Sequence, residues 1–180
     1  GFKSLADCTV TFPRLTVLFG PNAAGKSNLL DAVQALSRIG TSRTLSDALS
    51  EPIRGYPIEA FAFPAEGLSG LLSQVLSRFT LETDLGVGKE SYRYRTEVTI
   101  EPGSGALTCT DEYLCALTAR GDVKGNPAIE KVNDQLRIRR KSKPAHPRYE
   151  PVGLNHSLLS DPRLGGVEYR AIERCRNELS

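Results

Sequence analysis

A glycine-rich loop between two apolar segments constrains this 180-residue chain more than any other feature of its sequence. Residues 20–27 read GPNAAGKS and match G-x-x-x-x-G-K-[ST], the phosphate-binding pattern known as Walker A. The preceding run, residues 15–19, is short and almost wholly apolar, which predicts a strand buried on both faces of a parallel sheet. From Ser27 to Gly40 apolar residues recur at helical spacing, so the loop should join this strand to a helix.

Each residue type in the loop suits a nucleoside triphosphate. Gly20 and Gly25 lack a Cβ atom, so the backbone can bend tightly and approach an anion. Lys26 would place its ammonium against the β- and γ-phosphates as the catalytic cation, and the Ser27 hydroxyl can ligate Mg²⁺. The backbone N–H groups would bind phosphate oxygens at the positive end of the helix dipole. The predicted contacts from the loop are Gly20, Pro21, Asn22, Ala23, Ala24, Gly25, Lys26 and Ser27.

The residues around the loop resemble the opening of the ATPase heads of the SMC and RecF group, the ABC-type branch of P-loop ATPases. The similarity lies in GFKSLAD at residues 1–7 and GPNAAGKSNLLDA at residues 20–32. Asn28 and the Asp31-Ala32 pair are typical of this group. The resemblance implies an α/β P-loop NTPase fold: the N-terminal lobe of an ABC-type head, with parallel core strands and an antiparallel β-subdomain.

The same resemblance implies ligands and partners. ATP and Mg²⁺ would be the cofactors, and Lys3, Ser4 and Asn28 would join the loop in contacting the nucleotide. Complete heads of this group form ATP-dependent homodimers, hydrolyse ATP and act in chromosome maintenance, DNA repair or phage defence, so DNA is a possible partner. We do not recognise the Walker B, signature, D-loop or switch-histidine motifs, and the chain opens directly on GFKS. We therefore expect a truncated head that binds ATP with little turnover.

Two segments resemble the motifs that are otherwise lacking. Residues 67–74 (GLSGLLSQ) are similar to a signature loop, but they lack its second glycine, and we expect a plain loop running into a helix through Leu71 and Leu76. Residues 107–112 (LTCTDE) are similar to a Walker B strand, but their alternation predicts a half-solvated antiparallel strand. In that strand Leu107, Cys109 and Asp111 would share one face.

We interpret residues 1–180 as a single partial ATPase domain. Residues 1–40 would be the P-loop core, residues 41–150 a helical and antiparallel β-subdomain, and residues 151–180 a loop and an amphipathic helix without a partner. The predicted elements are a helix with Leu45 and Leu49, a short helix at 71–77, strands at 78–84, 92–100, 106–117 and 135–139, and a final helix at 167–179.

Charge is nearly balanced at +2 overall, but it is locally uneven. Arg137, Arg139, Arg140, Lys141 and Lys143 form a basic run that either contacts nucleic acid or borders a sheet as a solvated edge. The four cysteines and two histidines lack zinc-site spacing, which favours reduced thiols and ordinary surface histidines. No apolar run approaches the roughly 18–20 residues of a membrane span, so we expect a cytoplasmic location.

Three alternatives stay open at this point. A small-molecule kinase or GTPase shares the Walker A loop, although a GTPase also needs an Asn-Lys-x-Asp base-reading motif that the chain lacks. A non-hydrolysing clamp would use ATP only to drive dimerisation. A repair or defence nuclease would carry its catalytic carboxylates in a further domain.

Overall fold

The computed structural model describes residues 1–180, and its largest element is a six-stranded sheet in which every strand pairs antiparallel with the next one along the chain. The fold is therefore α/β with an antiparallel meander. The strands are β1 (Ser77–Val87), β2 (Glu90–Glu101), β3 (Ala106–Leu117), β4 (Ile129–Val132), β5 (Gln135–Ile138) and β6 (Arg148–Pro151). The helices are α1 (Lys26–Thr41), α2 (Leu45–Ala48), α3 (Gly67–Leu72) and α4 (Arg170–Leu179), with a 3₁₀ turn at Pro57–Ala60.

The β1–β2 hairpin confirms the strand prediction from alternating residues. Its strands are joined at Gly88, whose φ of +66° lies in the left-handed region that glycine adopts without strain. Strand β3 has the predicted bounds, and β5 lies within the predicted range. The four-residue strands β4 and β6 were not predicted, because neither shows an alternation of apolar and polar residues.

The prediction that Leu107, Cys109 and Asp111 share one face of β3 is wrong, because β3 contains a β-bulge. Glu97 of β2 lies opposite Asp111, whereas the next residue, Val98, lies opposite Cys109, so Thr110 is an extra residue in β3. Each extra residue reverses the alternation of side chains that follow it. As a result Glu112 faces the core and is fully buried, whereas Asp111 pairs with Arg95 on the other face.

Two groups of buried side chains form the core. One joins Phe2, α1, α2 and Phe61 to the β1–β3 end of the sheet, where the rings of Phe2 and Phe79 meet edge to face. The other lies over β2–β5 and includes Ile172 and Cys175 of α4, both at 0% exposure. The prediction that the final helix lacks a partner is therefore wrong, because α4 packs on α1 and β1.

The predicted buried strand at residues 15–19 does not form. These residues pair with no other strand, and Leu15, Val17 and Phe19 are 83%, 72% and 90% exposed. A strand of a parallel sheet needs neighbouring strands for its backbone and helices over both faces. The six strands of this chain pair with one another instead, so the structure has an antiparallel sheet and does not confirm a parallel core.

The helices agree with the sequence to different degrees. Helix α1 begins one residue before the predicted start and ends at Thr41, and the predicted Leu45 and Leu49 are both buried, Leu45 at the start of α2 and Leu49 directly after its end. Helix α3 begins four residues earlier than predicted and ends at Leu72, after which Val75 and Leu76 are exposed. None of the helices has both the length and the apolar character needed to cross a bilayer.

Candidate functional site

The loop at residues 20–27 forms a tight turn that ends in the first turn of α1. Gly20, Ala23 and Gly25 have positive φ values of +148°, +64° and +83°, and α1 begins at Lys26. The first helical backbone bond runs from the Leu29 N–H to the Gly25 carbonyl at 3.0 Å. No side chain caps this end of α1 and its first turn holds no acidic residue, so the leading N–H groups and the positive end of the dipole are available to an anion.

Lys26 and Ser27 lie at the start of this helix. The Lys26 ammonium donates to the carbonyls of Gly20 and Pro21 at 2.8 and 2.6 Å, so it is folded over the loop rather than paired with a carboxylate. The Ser27 side chain is exposed and makes no hydrogen bond within the chain. Both groups are therefore free to exchange their present surroundings for a phosphate or a cation.

The other predicted contacts form a second layer beside the loop. The Asn28 amide donates to the Ser4 hydroxyl at 2.7 Å, which ties the N-terminal segment to the first turn of α1. The Lys3 ammonium donates to the Asp31 carboxylate at 2.6 Å and to the Arg54 carbonyl at 2.8 Å. Lys3 is therefore engaged in an ion pair, and Ser4 and Asn28 in a mutual hydrogen bond.

Arg54 is a site residue that the sequence did not reveal, because no spacing rule connects residue 54 with the loop. Its guanidinium binds both oxygens of Asp31, at 2.7 and 3.3 Å, and lies 3.5 Å from the Asn28 amide oxygen. Its side chain is still 58% exposed. A second cation is thus fixed beside the first turn of α1, with much of its surface open to solvent.

Asp31 holds the cations Lys3 and Arg54 together. Burial alone raises the pKa of this carboxyl, but hydrogen bonds and charges from Arg54 and Lys3 outweigh burial, and the net pKa is lowered from 3.8. A lowered pKa means that the ionised carboxylate stabilises the folded state above pH 3.8, and that this contribution is lost as pH falls through the folded-state value.

We therefore expect Asp31→Asn to lower the free energy of unfolding by about 1–3 kcal/mol at pH 7, because two cations lose a charged acceptor. The deficit should shrink when both proteins are unfolded by urea near pH 3, where the wild-type carboxyl is also being protonated. Asp122→Asn is the control, since Asp122 is exposed and accepts no hydrogen bond from another side chain. An equal deficit at both pH values would show that packing, not charge, is responsible.

Glu112, the glutamate of the Walker B look-alike, is enclosed in the core. Its carboxylate accepts hydrogen bonds from the Tyr94 hydroxyl (3.0 Å), the Ser157 hydroxyl (2.6 Å) and the N–H groups of Leu158 (2.7 Å) and Leu159 (3.0 Å). Burial raises its pKa, and these donors partly oppose that effect. The carboxylate therefore anchors the 157–159 loop to the sheet.

The signature look-alike and the basic run lie in different elements of the fold. The signature look-alike is helix α3, where the exposed Ser69 donates only to the nearby Glu66 carbonyl at 2.9 Å. In the basic run, Arg137 and Arg139 both pair with Glu130, whereas Lys141 and Lys143 are exposed. Nucleic-acid contact by this run stays a prediction, and the structure leaves the two lysines as its unpaired, exposed cations.

Of the cysteines and histidines, Cys8 lies beside the loop, where it lines a small cavity together with Gly25 and Lys26. Three cysteine side chains are buried and Cys8 is exposed, and all four are free thiols. His146 is exposed, and His156 lies 3.0 Å from the Asn155 side-chain oxygen.

Comparison with known proteins gives one family. Its model matches residues 15–111, more than half of the chain, and is described as "AAA domain, putative AbiEii toxin, Type IV TA system". The match begins at the segment before the glycine loop and ends within β3. Neither the curated proteins nor the solved structures provide a match.

Proposed function

The chain belongs to this AAA domain family, and we propose that it binds ATP with Mg²⁺ at residues 20–27 as the nucleotide-binding part of an SMC/RecF-like ATPase. Family membership indicates a P-loop nucleotide-binding ATPase. The SMC/RecF-like role rests on the residues that surround the loop, GFKSLAD and GPNAAGKSNLLDA.

The observation that carries the proposal is the uncapped N-terminus of α1 with Lys26 folded over it. Free N–H groups, a positive helix end and a nearby ammonium are the features that bind phosphate groups. The residues present fit the ligand: the N–H groups from Ala23 to Asn28 and Lys26 would hold phosphates, and the Ser27 hydroxyl would hold Mg²⁺. Bound ATP would supply the phosphoryl group, and these residues would orient it and offset its charge.

Ser27→Ala tests the metal part of the proposal. If the hydroxyl ligates Mg²⁺, the substitution should weaken ATP binding much more in Mg²⁺ than in EDTA. Calorimetric titration of ATP under both conditions measures the difference.

Ser46→Ala is the matched control, because Ser46 is exposed on α2 and its hydroxyl makes no hydrogen bond in the structure. It should leave both titrations unchanged. An equal loss for Ser27→Ala with and without Mg²⁺ would assign Ser27 a packing role instead.

We further propose that residues 1–180 are one partial head, with a P-loop core at 1–40, a β-subdomain at 41–150 and a loop and helix at 151–180. Completion by the C-terminal half of a head, ATP-dependent homodimerisation, DNA contact and a role in repair, chromosome maintenance or phage defence belong to the same proposal. Their support is the resemblance of the first forty residues.

Low turnover by this segment is part of the proposal, because Glu112 is fully buried and accepts hydrogen bonds from two hydroxyls, two N–H groups and a thiol. A carboxylate in that position has no access to a water molecule that it could orient towards a phosphate. Turnover by the complete protein would separate a hydrolase from the alternative, a non-hydrolysing ATP-gated clamp.

A further inference from the structure

Residues 50–57 line an open cavity of about 520 Å³ beside the first turn of α1. This volume lies within the range of small-molecule pockets, about 300–1,000 Å³. Arg54 lines the cavity and also lies 3.5 Å from Asn28, the residue after Ser27. The cavity is therefore next to the place where the glycine loop enters the helix.

An exposed aromatic ring lines this cavity. Tyr56 is 77% exposed, although its backbone is held firmly. Its N–H donates to the Glu59 carboxylate at 3.1 Å, and the next residue, Pro57, has a φ that is fixed by its ring. Before it, Gly55 has a φ of +92°, and a side chain there would collide with Glu59.

Arg54 also anchors the backbone of residues 54–57. Its carbonyl accepts from Lys3, and its guanidinium is bound by Asp31. The ring of Tyr56 is thus presented to solvent on a backbone that is anchored two residues earlier to α1 and three residues later to Glu59. A flat, exposed ring on a fixed backbone is a suitable surface for stacking, since tyrosine has few side-chain torsions to immobilise on binding.

We infer that Tyr56 stacks on the base of the nucleotide whose phosphates lie on residues 20–27, with the ribose and base occupying the 50–57 cavity. This inference rests on the proposed function and names the part of the ligand that the glycine loop does not contact. The loop and Lys26 recognise only phosphates, so they cannot by themselves distinguish a nucleotide from inorganic tripolyphosphate. An aromatic ring supplies that distinction, because every base has a π-face and tripolyphosphate has none.

The test compares ATP with inorganic tripolyphosphate, both with Mg²⁺, by calorimetry or competition. Tyr56→Ala should weaken ATP binding by on the order of tenfold, the scale of one base–aromatic stack. It should leave tripolyphosphate binding unchanged. Tyr56→Phe keeps the ring and should retain ATP affinity.

Tyr149→Ala is the matched control, because Tyr149 is also an exposed tyrosine but lies on β6. It should bind both ligands as the wild type does. Equal losses for ATP and tripolyphosphate in Tyr56→Ala, or no loss for either, would overturn the stacking role. If the wild-type protein bound neither ligand, the proposed function would fail, and that result is distinct from a failure of the inference about Tyr56.

Discussion

Lys26→Ala is expected to remove most of the affinity for ATP while leaving the fold intact. The Lys26 ammonium contacts only the carbonyls of Gly20 and Pro21, which can be hydrated once it is gone, so stability should change little. In the complex the same ammonium would face the β- and γ-phosphates. Loss of a charged partner from such a pair costs about 2–4 kcal/mol, or roughly 30- to 800-fold in Kd.

The measurement is a calorimetric titration of ATP and Mg²⁺, together with a urea unfolding curve for each protein. Lys124→Ala is the control for net charge, since Lys124 is an exposed lysine of the loop between β3 and β4. Equal ATP affinity in the wild type and Lys26→Ala would refute this interpretation of the loop.

The largest expected effect on stability comes from Glu112→Ala. Two hydroxyls, two N–H groups and the Cys109 thiol lose this acceptor in a part of the core that water does not reach, although the Leu159 N–H keeps a bond to the Ser157 hydroxyl. An unsatisfied buried donor costs about 1–3 kcal/mol, and local rearrangement will restore some of these bonds. We therefore expect the free energy of unfolding to fall by about 4 kcal/mol, with the 157–159 loop released from the sheet.

Glu112→Gln separates the lost hydrogen bonds from lost packing. Its amide oxygen can still accept, but its NH₂ group would face one of the donors, so a smaller loss is expected. Glu178→Ala, at an exposed position of α4, should change stability by no more than about 0.5 kcal/mol. A loss of similar size for Glu112→Ala and Glu178→Ala in urea unfolding would contradict the anchoring role.

The parts of the fold that local patterns encode could be predicted from the sequence. Helix α1 follows from apolar spacing and the glycine before it, and the β1–β2 hairpin follows from alternation around Gly88. The phase of β3 could not be predicted, because a bulge depends on pairing with β2 and leaves no mark in β3 itself. The absence of a strand at residues 15–19 could not be predicted either, because their apolar pattern does not show whether neighbouring strands exist. The six-stranded meander provides no neighbouring strand for them.

Some residues of the candidate site could likewise be predicted from the sequence, whereas others are brought together only in the folded chain. Lys26 and Ser27 could be located from their motif, because the loop and the helix are contiguous in sequence. Arg54 and Asp31 are brought together from positions 23 residues apart, and only the folded chain shows that one buried carboxylate holds two cations. The sequence also placed Lys3 among the nucleotide contacts; its ammonium is paired with Asp31 in the structure, and its contact with a nucleotide stays a prediction.

The most direct test of the central claim is the titration of ATP with Mg²⁺ into the wild-type chain by isothermal calorimetry. We predict saturable binding near one nucleotide per chain that excess inorganic tripolyphosphate displaces, because both ligands would use the N–H groups and Lys26 of the same loop. Absence of saturable heat, or ATP binding that tripolyphosphate and Lys26→Ala both leave untouched, would contradict the assignment of residues 20–27 as a triphosphate site.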